Sequence, residues 1–181
     1  MEFSTKGELI EKLGLIKHME GGYFVETYRS PDTTQTDRRH WNEGVRCQAT
    51  SIYYMQTDEQ PVGYPNKNIS SIIHCYSGGA PSLHRFFLPD GTVDEQVLGP
   101  DVTRGHRPQV ICPGNTWKID SLMPPGRGGG GRDEKWSYAL WSEVVVPGWE
   151  EADHDIMEFY EFFEKFPQYE FVKMDVWDPK D

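Results

Sequence analysis

Residues 105–119, GHRPQVICPGNTWKI, decide how this chain is to be read. Two short runs rich in β-branched and aromatic residues flank Pro113-Gly114-Asn115, three residues that favour a turn and disfavour helix or strand. The stretch therefore reads as two short strands hinged on that turn, and the same texture recurs on both sides of it. From Gly21 onward, GGYFVETYRS, CQATSIYYMQT, NISSIIHCYS, PSLHRFFLPDG, EQVLG, YALWSEVVVPG and EFVKM are apolar or alternating runs separated by Gly, Pro, Asn and Asp. Many short strands with such punctuation predict an all-β sandwich or barrel of antiparallel strands.

Helices are expected only at the two ends. Thr5 and Glu8 have capping-box spacing, Leu9, Ile10 and Leu13 form an apolar stripe, and Gly14 can end the turn. Ile156, Phe159, Tyr160 and Phe163 recur at helical spacing among acidic residues and predict a C-terminal helix with one aromatic face on the sheets. The 181 residues suit one domain spanning 1–181, with its core at about 13–163.

Composition excludes several function classes. Lys plus Arg number 18 against 29 Asp plus Glu, a net charge of −11 that repels phosphate backbones and anionic lipid. Neither a nucleic-acid polymer nor a membrane is expected as a partner. Cys47, Cys75 and Cys112 are odd in number and lack a Cys-x-x-Cys pair, which argues against a disulfide framework or a zinc knuckle. The start of the chain mixes acids with bases and has no long apolar run, so a cytoplasmic location is expected. Pro124–Trp136 is glycine-rich but lacks the Gly-Lys-Ser/Thr of a phosphate cradle, and reads as a hairpin tip. No Gly-x-Ser-x-Gly elbow is present.

The order LGLIKHMEGGYFVETYRS, TSIYYM, SGGAPSLHRFFLPDG, RPQVICPGNTW and VVVPGWE resembles the cupin superfamily, and within it the small cupin-5 family of unknown function. The resemblance implies a jelly-roll β-barrel, commonly a homodimer, with a binding pocket in its mouth. It implies no activity by itself. Metal-binding cupins take two His and a Glu from a first motif ending in Gly, and a further His after the Pro-x-Gly turn of a second. Counting back from Gly78 in SSIIHCYSG puts Ser71 at the Glu position, and the last His position falls on Lys118 or Trp117. A hydroxyl, an ammonium and an indole do not replace those ligands, so no metal and no cofactor is expected. On alternation from the same landmark, Ser71, Ile73 and Cys75 face inward and His74 outward. His84 reads as structural, and His18, His40, His106 and His154 as surface residues.

EGGYFVETY is also similar to the strand that holds the nucleotide half of the substrate in cupin-fold sugar-nucleotide epimerases. Phe24 and Glu26 match its aromatic and its Glu, while Gly21 stands where its Arg would be. Those enzymes use a His base held by an Asp, with a Tyr as acid. Tyr53, Tyr54 and Tyr76 are available as acids, but no His–Asp pair is legible along the chain. The first expectation is thus a small organic ligand, sugar- or nucleotide-like, between Phe24, Glu26, Arg29, Gln109 and Trp117. Glu26 would accept hydrogen bonds, Arg29 would pair with an anion, Gln109 would orient the ligand and the aromatics would stack. Trp117 as a core plug is the competing reading. The alternatives are a sugar epimerase or isomerase, marked by an inward His with a carboxylate partner, and a degenerate barrel acting as an interaction protein.

Overall fold

The computed structural model describes residues 5–37, 44–123 and 137–172. Glycine-rich Pro124–Trp136 and His40 lie outside them. The chain runs α1 (Lys6–Leu13), β1 (Ile16–Lys17), β2 (Tyr23–Arg29), β3 (Thr33–Gln35), β4 (Val45–Cys47), β5 (Thr50–Thr57), β6 (Asn66–Asn68), β7 (Ser71–Gly79) and β8 (Ser82–Phe87). It continues through β9 (Val93–Leu98), β10 (Gln109–Cys112), β11 (Trp117–Leu122), β12 (Tyr138–Val146), β13 (His154–Ile156) and α2 (Phe159–Lys165). Strands dominate, as the punctuated sequence predicts. EFVKM is an exception: its described start belongs to a 3₁₀ segment, Pro167–Val172.

Two antiparallel sheets make the body, one ordered β1-β2-β5-β12-β7-β10 and the other β13-β6-β11-β8-β9. Between them lies one apolar cluster, with Tyr54, Ile72, Trp141 and Val145 from the first sheet and Phe86 and Leu98 from the second. Each sheet is also covered on its outer face. α1 lays Leu9, Ile10 and Leu13 against Met55, Tyr138 and Leu140. Its ends are the predicted ones, a Thr5–Glu8 capping box and a left-handed Gly14. On the other sheet α2 packs Phe162 and Phe163 over Phe87, Trp117 and Ile119.

The C-terminal helix departs from its expected pattern. It starts at Phe159, so Ile156 belongs to β13, and Tyr160 is 66% exposed. Phe159 and Phe163 of the expected stripe do pack on the sheet, joined by the fully buried Phe162.

The inward face of β7 is the reverse of the expected one. Ile72 and His74 are buried between the sheets, while Ser71, Ile73 and Cys75 are half-buried. The cause is a bulge: β12 pairs Leu140 with Gly78 but Trp141 with Tyr76, which leaves Ser77 as an extra residue. Counting by twos from Gly78 crosses that residue, and a slip of one exchanges every side chain between faces.

Candidate functional site

The wall formed by β8 and β11 holds the chemistry. Both strands alternate, so Ser82, His84 and Phe86 share a face with Lys118 and Asp120, while Phe87, Trp117 and Ile119 share the face beneath α2. Direct pairing places Asp120 opposite His84. His84 Nδ1 lies 2.8 Å from Asp120 Oδ1, and His84 Nε2 lies 2.9 Å from Ser82 Oγ. With the Nδ1 proton turned to the carboxylate, Nε2 is left to accept from the Ser82 hydroxyl. All three residues are at most 4% exposed.

Lys118 is the electrostatic centre. Its Nζ is 2.6 Å from Asp120 Oδ2 and 4.0 Å from Glu20 Oε2. Burial pushes the lysine pKa down, but Asp120, Glu20 and Glu143 outweigh burial and hold it well above its ordinary value. Burial likewise works against ionised Asp120 and Glu20, yet Lys118 keeps both below the usual carboxylate range, helped by His84 and His154 respectively. His154 Nε2 reaches Glu20 Oε1 at 2.6 Å.

The facing wall comes from β5, β7 and β12. Trp141 Nε1 donates to Glu143 Oε1 at 2.8 Å, and that oxygen lies 3.6 Å from His74 Nε2. Burial, reinforced by Glu20 and Asp120, raises the Glu143 carboxyl against the opposing pull of Lys118, so this second carboxyl is biased toward its protonated form. Burial also pushes the Tyr54 hydroxyl well up, and it donates to the Gly21 carbonyl. Gly21 and Gly22 take φ of 93° and 70°, a turn that needs glycine and brings Glu20 over Lys118. His18 packs edge-on against Phe24 and Tyr54, with ring centroids 4.4 and 5.7 Å away. The two walls meet where the His74 and His84 rings stand 4.8 Å apart.

His74 is therefore an interior residue, as are His84 and the His154 side chain, and His18 is half-buried rather than superficial. The five expected ligand residues do not come together. Phe24 touches the site through His18. Glu26 and Arg29 pair with each other at 2.9 Å in an exposed position, and Arg29 also holds Glu150. Gln109 is exposed beside Cys75. Trp117 faces Phe162 and Phe166 under α2.

A metal implied by the fold finds a poor donor set here. His74, His84 and Asp120 bring donor atoms within 4.8 Å of one another, but His84 and Asp120 already face each other as an ion pair at 2.8 Å. The ammonium on Asp120's other oxygen adds a like charge where a divalent ion would sit.

His74 carries a pH signature. Burial and the neighbouring His84 hold its pKa well below 6.5, and neither ring nitrogen has a hydrogen-bond partner of good geometry. The unfolded chain then binds a proton that the folded chain refuses, so stability falls as pH drops through 6.5 toward the depressed folded value. The expected slope from this residue is about 1.4 kcal/mol per pH unit. Urea midpoints measured below pH 6.5 should show that slope, and His74→Gln should remove it while His18, shifted the same way by burial, keeps its own share. Equal slopes in both proteins would refute the assignment.

Comparison with known proteins agrees with this architecture. Residues 7–157 match the family described as Cupin superfamily (DUF985). An uncharacterized protein of Saccharomyces cerevisiae, YML079W, is 37% identical over 161 residues, which cover 86% of this chain and 76% of the yeast protein. A hypothetical protein from Leishmania major superposes with a TM-score of 0.82 at 26% identity, covering 95% of this chain and 98% of that one. Protein SO0799 from Shewanella oneidensis gives 0.75 at 22% identity, covering 98% of this chain and all, 100%, of the other.

Proposed function

The chain belongs to the cupin superfamily family DUF985, and from that premise we propose that its interior binds a small polar organic molecule and moves a proton on it, as an epimerase or isomerase does. The observation that carries this reading is the buried His84–Asp120 pair at 2.8 Å, the inward histidine with a carboxylate partner that such chemistry requires. Asp120, kept ionised by Lys118, orients the ring and stabilises the imidazolium that forms.

The proton balance follows from the contacts. Ser82 Oγ donates to His84 Nε2, so a substrate proton reaches Nε2 when the substrate replaces that hydroxyl, or when Ser82 passes its own proton on as it accepts the substrate's. The opposite wall presents Glu143 and Tyr54, whose carboxyl and hydroxyl burial shifts toward their protonated forms. A base on one wall and acids on the other suit removal of a proton from one face of a carbon beside a carbonyl and return to the other. No step needs a metal.

The test is solvent-deuterium incorporation, followed by proton NMR, with dihydroxyacetone and free aldoses and ketoses as probes. Wild-type protein should exchange a carbon-bound hydrogen, and His84→Asn should slow exchange by about 10²–10⁴-fold while remaining folded. An exchange rate unchanged in His84→Asn would eliminate His84 as the base.

A further inference from the structure

We infer that the β6 end of the interior is a recognition shelf for neutral, hydroxyl-rich molecules of the free-sugar class. This rests on the acid–base reading of the same interior and names its substrate class. β6 alternates so that Lys67 points out, 5.3 Å from the Trp117 ring and 2.8 Å from Asp155, and Asn66 and Asn68 point the other way, 1% and 7% exposed. In the ladder Asn66 stands directly opposite Lys118, and Asn68 directly opposite His154. Opposed residues share a face with Cβ atoms about 5 Å apart, so both carboxamides border the Lys118–Glu20–His154 group.

Their side-chain oxygens are unsatisfied. Asn66 spends a donor on the Tyr64 carbonyl at 3.0 Å, but its Oδ1, the Asn68 Oδ1 and the nearby Ser70 Oγ are buried without a hydrogen-bond partner. A buried acceptor with no donor is expensive to maintain, and several in one short segment point to a ligand that brings the donors. Hydroxyl groups are donors of the right kind.

Charge excludes the phosphorylated members of the class. The three buried cations among the described residues each hold a carboxylate: Arg46 with Asp153 at 2.6 Å, Arg85 with Glu95 at 2.7 Å and Lys118 with Asp120 at 2.6 Å. Around Lys118, the carboxyl groups of Asp120 and Glu20 already occupy the ammonium at 2.6 and 4.0 Å. A phosphate entering here would meet acceptors and a cation already paired with carboxylates.

The experiment is thermal shift on the full chain with D-glucose, D-ribose and D-fructose, each beside its terminal phosphate ester. A free sugar at about ten times its dissociation constant should raise the melting temperature by roughly 3–6 °C, and its ester should not. Asn68→Leu, which replaces an unbonded acceptor by an apolar side chain of similar size, should leave the sugar-free melting temperature within about 2 °C and abolish the shift. Ser70→Ala serves as a second variant, expected to weaken the shift, should Asn68→Leu fail to fold. Equal shifts by sugar and ester, no shift by any free sugar, or a shift retained in both variants would overturn the shelf. A sugar that binds without exchanging hydrogen keeps the shelf and removes the acid–base reading. Exchange of dihydroxyacetone with no sugar binding does the reverse.

Discussion

Replacing Lys118 by methionine is expected to cost about 3–5 kcal/mol of folding stability, the scale for breaking a buried ion pair by removing one partner. The stem keeps its length, so packing is nearly preserved and charge is what changes. Asp120 at 2.6 Å and Glu20 at 4.0 Å would be left facing each other with side chains only 6% and 10% exposed. At 2–4 °C per kcal/mol for a chain of this size, the melting temperature should drop by roughly 6–20 °C. The loss should be pH-dependent in a defined direction. Lys118 depresses both carboxyl pKa values, and a depressed carboxyl contributes stability that is present above its unfolded pKa and lost as pH falls through the folded one. Without the lysine that contribution disappears, so the gap between variant and wild type is widest near neutral pH and narrows in acid. Lys118→Met combined with Asp120→Asn should recover part of the loss, because the nearer of the two orphaned carboxylates is gone. Chemical denaturation at several pH values reads all of this, and a Lys118→Met protein as stable as wild type would show that the three groups are not coupled.

The network around Lys118 also shows where sequence reasoning reaches its limit. Local chemistry sufficed for the all-β texture, for the Thr5–Glu8 cap and the Gly14 stop, and for the turn at Pro113-Gly114-Asn115, because each depends on residues a few positions apart. The His84–Asp120 pair is different. It exists because β8 and β11 lie side by side although β9 and β10 intervene in the chain, and nothing in either strand announces that pairing. His74 was hidden by the extra residue at Ser77, which an alternation count cannot see. Glu20 meets Lys118, and His154 meets Glu20, from segments outside the sheet neighbours β6 and β8 of that lysine, a purely tertiary event.

A subtler obstacle lay in using apolarity to find the inside. That works for a sheet with one wet face, where the apolar side is the core. Here α2 buries the outer face too, so β8 and β11 carry apolar residues on that face and polar ones within. The usable signal was the reverse one: Ser82 and His84 on one strand, and Lys118 and Asp120 on another, are polar residues at alternating positions in runs that otherwise read as buried. Polar residues repeated on one face of a buried strand are costly unless they answer one another, which makes them a marker of a built site.

Trp117 sits at this same divide, and its truncation gives the sharpest separation of fold from site. Its ring packs 5.6 Å from Phe162 and 6.0 Å from Phe166, and Lys67 lies over its outer side at 5.3 Å. Trp117→Ala should therefore open a cavity beneath α2 and cost about 3–5 kcal/mol, the range for removing a large aromatic from a core. Trp117→Phe should recover a substantial part, since it keeps an aromatic surface for Phe162 to pack against. The interior chemistry should be spared, because the adjacent Lys118 points to the opposite face and none of His84, Asp120 or Ser82 touches the indole. Under conditions where Trp117→Ala remains folded, deuterium exchange and sugar binding should match wild type, while the denaturation midpoint falls. A variant of near wild-type stability that had lost sugar binding would instead place Trp117 against the ligand and overturn the assignment of its face.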